Sequence, residues 1–181
     1  MRWFVRGLMR LFGWKIDLSV PQGIKKAVVV MAPHTSNWDF VIGRIAFYLM
    51  RIPGKFLIKK ELFFFPLGWI LRSLGALPVD RKKKNHLVSQ AVELFKHSDN
   101  LYLVFTPEGT RAANPHWKKG FYYIALEAKV PIVLAFIDYS KKIGGFHGVF
   151  ESTGNANEDI KNIKKELLPY EAKYPKQGII F

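Results

Sequence analysis

The sequence predicts an α/β domain with a mostly parallel central sheet flanked by helices. Short apolar, β-branched runs recur along the chain, and helix-period stretches separate them. Turn residues bound nearly every run. Two polar motifs follow such runs directly, where parallel sheets present loops and helix N-termini to a ligand.

The first element is the opening MRWFVRGLMRLFGWKI. On a helical wheel Arg2, Arg6 and Arg10 fall on one narrow arc, while Phe4, Val5, Leu8, Met9, Leu11, Phe12 and Trp14 spread over the rest. A basic stripe against a broad aromatic–aliphatic face is the pattern of a helix lying in a membrane interface. The competing reading packs this helix on the domain's own core with its arginines outward. A signal peptide is rejected, because the arginines run throughout the segment and no small-residue cleavage site follows. Residues 1–16 are thus read as an amphipathic interfacial helix and residues 17–181 as one domain.

Strands are predicted at 27–32, 55–59, 76–79, 101–105 and 132–137, each a short buried run. Helices are predicted at 39–50, 61–73, 85–97 and 118–128. The alternation implies βα units and parallel pairing. Residues 157–168 read as an exposed helix, and no repeat, linker or low-complexity segment occurs. The longest apolar stretches are broken, 40–50 by Arg44 and 62–71 by Pro66 and Gly68. None reaches the roughly 18 residues that a spanning helix needs, so a membrane protein of this sequence lies on the bilayer.

Composition narrows the function. With 49% hydrophobic and 23% charged residues the chain has material for a core and is not a disordered segment. It has no cysteine, which removes disulfides, thiol nucleophiles and thiolate metal sites and points to a cytosol-facing location. Twenty-eight Lys and Arg against 14 Asp and Glu give a formal charge of +14, which attracts something anionic: nucleic acid, an acidic membrane surface or a phosphorylated ligand. The aromatic residues sit in basic, apolar stretches rather than at the regular positions of an RNA-binding sheet, which favours a lipid surface.

The first polar motif is APHTSNWDF, residues 32–40, with His34 and Asp39 five apart. That spacing is about 140° on a helix, so the pair meets only if His34 lies in the loop and Asp39 in the first turn. Pro33 and the N-cap residues Thr35, Ser36 and Asn37 support that placement. Three uses stay open: a proton-transfer pair, a metal site, or a capping box formed by Ser36 and Asp39. No Gly-x-Ser-x-Gly elbow is present, so in the first case the nucleophile is the substrate's own hydroxyl. His86, His97, His116 and His147 have no second ligand at metal spacing, and no metal is expected.

The second motif is Pro107-Glu108-Gly109-Thr110-Arg111. Gly109 lets the backbone approach a ligand closely, and Arg111 offers a planar fork suited to phosphate. Lys118 and Lys119 follow as further cations for the same anion or for a lipid surface.

Together these motifs resemble the glycerolipid acyltransferases, the lysophosphatidic acid acyltransferase group in particular. Between them, Lys60-Glu61-Leu62, Pro66, Gly68, Gly75 and Val79-Asp80-Arg81 are similar to that family's second motif, and Val130-Pro131-Ile132-Val133 to its fourth. The resemblance covers about residues 25–137. The chain departs from it at Leu134, where a second proline is usual, and in the short segment 112–117.

The resemblance implies transfer of a fatty acyl group from acyl-CoA or acyl-carrier protein to a hydroxyl of a lysophospholipid, 1-acylglycerol 3-phosphate first, with phosphatidic acid as product. It makes His34 the general base and Asp39 its orienting carboxylate. Arg111 and Arg81, with Lys60, hold the acceptor phosphate, while Glu108, Gly109 and Thr110 complete the acceptor site. It implies no cofactor beyond the thioester, and a monotopic location on the cytoplasmic face with membrane lipids as partners. Glycerol 3-phosphate, another lysolipid or a lyso-amino-acid lipid are the alternative acceptors. A basic nucleic-acid-binding module is the rival class, distinguished by steep salt-dependent retention on DNA or RNA.

Overall fold

The structure is a computed structural model and describes residues 1–80 and 86–181. Arg81, a predicted phosphate ligand, lies outside the described residues. The strands are β1 (Lys15–Ile16), β2 (Lys26–Met31), β3 (Gly54–Lys59), β4 (Ala76–Val79), β5 (Leu101–Phe105), β6 (Ile132–Asp138) and β7 (Ile143–Phe150). The helices are α1 (Arg2–Leu11), α2 (Asn37–Met50), α3 (Leu67–Ser73), α4 (His86–Lys96), α5 (Gly120–Ala128) and α6 (Ala156–Leu167).

Among the described residues the strands form one sheet in the order β1-β7-β6-β2-β5-β3-β4. Every neighbouring pair is parallel except β6 and β7, which run antiparallel. The sheet therefore is mostly parallel, as the sequence implies. In β2, residues Ala27 to Met31 are all buried, and so is every residue of β6. That is the signature of strands covered on both faces.

Alternation along β2 divides the core in two. Val28 and Val30 join Phe95, Phe121, Ile124, Ile163 and Leu167 on the face covered by α4, α5 and α6. Ala27, Val29 and Met31 join Met9, Ile42 and Phe47 on the face covered by α1 and α2. β2 and β5 are neighbours, with Val30 opposite Phe105, so the loops that leave their carboxyl ends emerge side by side.

Four elements differ from the sequence expectation. The helix expected over 61–73 is a 3₁₀ turn, Lys60–Leu62, followed by α3 from Leu67. Pro66 accounts for the break, since it has no N–H to donate and disfavours helix before it. Residues 157–168 were expected as an exposed helix, yet α6 buries Ile160, Ile163 and Leu167 together with Asp159 and Lys164. β1 and β7 carry no clear strand pattern, and β7 holds three glycines, Gly144, Gly145 and Gly148.

α1 buries only Met9 against the domain. Trp3, Phe4, Leu8 and Leu11, with Phe12 just beyond, are exposed, as are Phe64, Phe65, Trp69 and Ile70 around the start of α3. Among the described residues no helix is long and apolar enough to cross a membrane.

Candidate active site

The loop after β2 brings His34 and Asp39 together. Ser36 is the N-cap of α2, with its hydroxyl accepting from the Trp38 N–H at 3.2 Å, while the Asp39 carboxylate accepts from the Ser36 N–H at 2.9 Å. The capping box is therefore formed. The imidazole pair is formed as well, because Nδ1 of His34 lies 3.0 Å from Oδ2 of Asp39. The same oxygen also accepts from the Thr35 N–H at 2.9 Å. Cap and pair are one arrangement, not two alternatives.

Asp39 is 1% exposed and His34 is 20% exposed. Burial pushes the Asp39 carboxyl up, but hydrogen bonds from His34, Tyr139 and Ser36 outweigh it and hold the group below the ordinary carboxylate range. An ionised Asp39 fixes the tautomer with the proton on Nδ1 and leaves Nε2 as the basic nitrogen. The remaining oxygen, Oδ1, accepts from the Tyr139 hydroxyl at 2.6 Å.

The loop after β5 supplies the second motif. Gly109 has φ +67°, the left-handed region, and its N–H closes a turn onto the Thr106 carbonyl at 3.1 Å. A Cβ at Gly109 would stand 2.7 Å from Nζ of Lys118, so the lysine lies directly over the glycine. Nη1 of Arg111 donates to Oδ1 of Asn37 at 2.8 Å, which ties this exposed side chain to the first residue of α2.

Glu108 has a different situation from its neighbours. It is buried, and Oε1 accepts from the His34 N–H at 3.0 Å, whereas Oε2 is buried without a hydrogen-bond partner. Burial pushes its pKa to about 7 against the pull of that backbone bond and of His34. The carboxyl thus supports the loop of His34 from behind. Lys60 also has a local partner, with Nζ 2.6 Å from Oδ2 of Asp80. Among the described residues neither Glu108 nor Lys60 lines the cavity in front of His34, whereas Gly109, Thr110, Arg111 and Lys118 do.

That cavity has a volume of about 760 Å³. Around His34 it is polar, with Asn37, Thr110, Arg111 and Lys118 on its walls. Its walls also include the apolar Met31, Phe40, Phe47, Phe56 and Leu57, with Arg44 among them. No group of three or more His, Cys, Asp or Glu is placed to hold a metal ion among the described residues.

Sequence reasoning missed Tyr139 and Asn114. Asn114 donates from Nδ2 to the Glu108 carbonyl at 2.7 Å and accepts from the His116 N–H at 2.9 Å, which ties together the loop between β5 and α5. Neither residue sits in a local motif. Tyr139 meets Asp39 across 100 positions of sequence, and only the fold brings them together.

The sheet, covered by helices on both faces, thus carries an imidazole–carboxylate pair beside Arg111 and Lys118 at the carboxyl ends of β2 and β5. The chain belongs to the Acyltransferase family, whose model matches residues 15–137. It is 30% identical over 139 residues to the 1-acyl-sn-glycerol-3-phosphate acyltransferase beta of Homo sapiens, covering 72% of this chain and 49% of the relative. It is 33% identical over 140 residues to the 1-acyl-sn-glycerol-3-phosphate acyltransferase of Streptococcus pneumoniae, covering 72% and 51%. It is 32% identical over 156 residues to the Saccharomyces cerevisiae enzyme of the same name, covering 80% and 50%. The chain therefore spans about half the length of these curated relatives. The crystal structure of the 1-acyl-sn-glycerophosphate (LPA) acyltransferase PlsC from Thermotoga maritima superposes with a TM-score of 0.61 at 17% identity, covering 95% of this chain and 79% of that one. At that identity the likeness concerns the fold.

Proposed function

We propose that this protein transfers a fatty acyl group from an acyl thioester, acyl-CoA or acyl-carrier protein, to the free hydroxyl of 1-acylglycerol 3-phosphate, giving phosphatidic acid. The observation that carries this reading is the His34–Asp39 pair at the polar end of the cavity, beside Arg111 and Lys118. Nε2 of His34 takes the hydroxyl proton as the hydroxyl oxygen attacks the thioester carbonyl carbon. Asp39 balances the imidazolium. The tetrahedral intermediate then collapses, the carbon–sulfur bond breaks, and the thiolate recovers its proton from His34. A thioester is already activated, so this sequence of steps needs no cofactor.

Arg111 suits the acceptor phosphate because its guanidinium can pair two oxygens at once. Lys118 lies beside it over Gly109, where a compact ammonium adds charge. The apolar side chains in the cavity wall suit an acyl chain. Arg81 keeps its place in the proposal on sequence grounds.

The enzyme works at the cytoplasmic face of a membrane, lying on the bilayer rather than crossing it. α1 and the aromatic residues near α3 give an apolar surface for the acyl boundary, with Arg2, Arg6 and Arg10 for anionic headgroups. Each such arginine is worth on the order of 1 kcal/mol near a charged surface.

Purified protein is to be assayed with labelled acyl-CoA and acyl-carrier protein against 1-acylglycerol 3-phosphate, glycerol 3-phosphate, other lysolipids and a lyso-amino-acid lipid. The expected result is acylation of 1-acylglycerol 3-phosphate well above the rest. Preference for an acceptor without phosphate would overturn the acceptor assignment, and no transfer to any would overturn the activity.

A further inference from the structure

We propose that Tyr139 is a positioning residue of the reaction, holding Asp39 and, through Asp39, the imidazole of His34. This rests on the reading of His34 as the base. The geometry separates the two oxygens of Asp39 by task. Oδ2 receives His34 Nδ1 and the N–H groups of Thr35 and Ser36, so both the cap and the imidazole lie on one atom. Oδ1 receives the Tyr139 hydroxyl at 2.6 Å, a bond that the helix cap does not require. Donors on opposite oxygens fix the plane of the carboxylate more firmly than the donors on Oδ2 alone. Without the phenol, Oδ1 of this buried side chain loses the partner that it has in the structure.

Tyr139 is itself held from two sides. It follows β6 directly, and its N–H donates to the Glu171 carbonyl at 2.9 Å. Its ring packs edge-on against Trp14, with centroids 5.1 Å apart and planes at 90°. Trp14 in turn donates its N–H to the Met9 carbonyl near the end of α1 at 2.8 Å. Two segments far apart in sequence thus meet at Tyr139, one on its ring and one on its backbone. Burial and Asp39 raise its pKa well above the ordinary tyrosine value, so the hydroxyl stays a donor across the working range.

The consequence for the chemistry has a sign. A donor on Oδ1 shares the carboxylate's charge and weakens its pull on the Nδ1 proton. His34 then returns its proton to the leaving thiolate more readily. With the phenol gone, the carboxylate stabilises the imidazolium more strongly and holds it less exactly in place. Other titratable and charged groups facing this cluster are Glu108, Arg111 and Lys118 from the segment between β5 and α5 and Tyr174 from the C-terminal segment, and all are retained in the variants below.

The test measures Tyr139→Phe, Asp39→Asn, the double variant and His34→Ala beside the parent, with oleoyl-CoA and 1-oleoylglycerol 3-phosphate in mixed micelles. Tyr139→Phe is expected to lower kcat about 10- to 100-fold, leave both KM values within about twofold, and move the acidic limb of the kcat profile to higher pH. In the Asp39→Asn background the same substitution should change kcat by less than about twofold, because its target is already lost. A kcat near the parent's, or an equal loss in both backgrounds with an unmoved profile, overturns the proposal. Tyr139→Phe keeps the ring on Trp14. Should it nevertheless not fold, 3-fluorotyrosine placed at position 139 keeps the bond and strengthens the donor, and an unchanged kcat and pH profile then overturn the proposal. His34→Ala separates the two readings. An active His34→Ala removes the base itself, while an inactive one beside a fully active Tyr139→Phe removes only the role of Tyr139.

Discussion

The loop after β2 and the loop after β5 stand side by side, yet they are built in opposite ways. The first is buried and multiply held: Asp39 is hydrogen-bonded on both oxygens, and the His34 backbone is bonded to Glu108. The second carries Arg111 on the outside, tied by a bond to Asn37. Under the proposed function the difference matches the task of each loop. Proton transfer fails when the base is displaced by a fraction of an ångström, so its loop is fixed in advance. Capture of an anion needs a reachable charge that can adjust to the incoming group, so exposure serves it better.

The comparison can be broken most sharply at His34. His34→Ala is expected to lower kcat by roughly two to four orders of magnitude, the usual scale for a general base, with a thermal midpoint close to the parent's. Turnover of purified, folded protein checks it. A fully active variant would show that the fixed loop is a cap and nothing more.

At Asp39 both roles fall together. Asp39→Asn replaces an acceptor by an amide beside the N–H groups of Thr35 and Ser36. It should cost about 1–3 kcal/mol of stability as well as activity per folded molecule, read by denaturant unfolding alongside the assay. Loss of stability alone would leave only the cap.

Arg111 tests the other loop. Arg111→Ala should raise the acceptor KM by about 10- to 100-fold and leave the donor KM nearly unchanged, since a charge-assisted bond is worth about 1.5–3 kcal/mol. Arg111→Lys should recover only part, because the planar fork is lost. An equal loss with a phosphate-free acceptor would contradict the assignment.

The smallest effect belongs to Glu108. Its folded pKa is raised from 4.5 to about 7, so its protonated form is favoured in the native state. Stability from this group is fully present below the unfolded value and is lost as pH rises through about 7. Glu108→Gln, which imitates the protonated form, should flatten that decline between about pH 5 and pH 8 in thermal unfolding. A parallel decline in parent and variant would show that Glu108 is ionised throughout.

Much of this architecture is legible in the sequence because β2, β5 and β6 are continuous apolar runs, and buried parallel strands read that way. The edge is not. β7 buries Gly144, Gly145 and Phe146 in a row, alternates only from His147 on, and spends three positions on glycine, a residue depleted in strands. α6 offers a stripe at Ile160, Ile163 and Leu167, which its many charged residues mask. At the site, His34, Asp39, Gly109 and Arg111 announce themselves by local spacing. Burial of Glu108 and the reach of Tyr139 do not, since each depends on where another strand ends.

Because one oxygen of Asp39 both starts α2 and holds the imidazole, the site behaves as an indivisible cassette for anyone wishing to transplant it. Copying His34 and Asp39 onto another scaffold's helix would fail, as side chains five apart do not share a face of an ordinary helix. The portable unit is the run from Ala32 to Asp39 with the strand before it and the helix after it. A host scaffold must also offer a phenol at the end of the strand next to the one that carries this run.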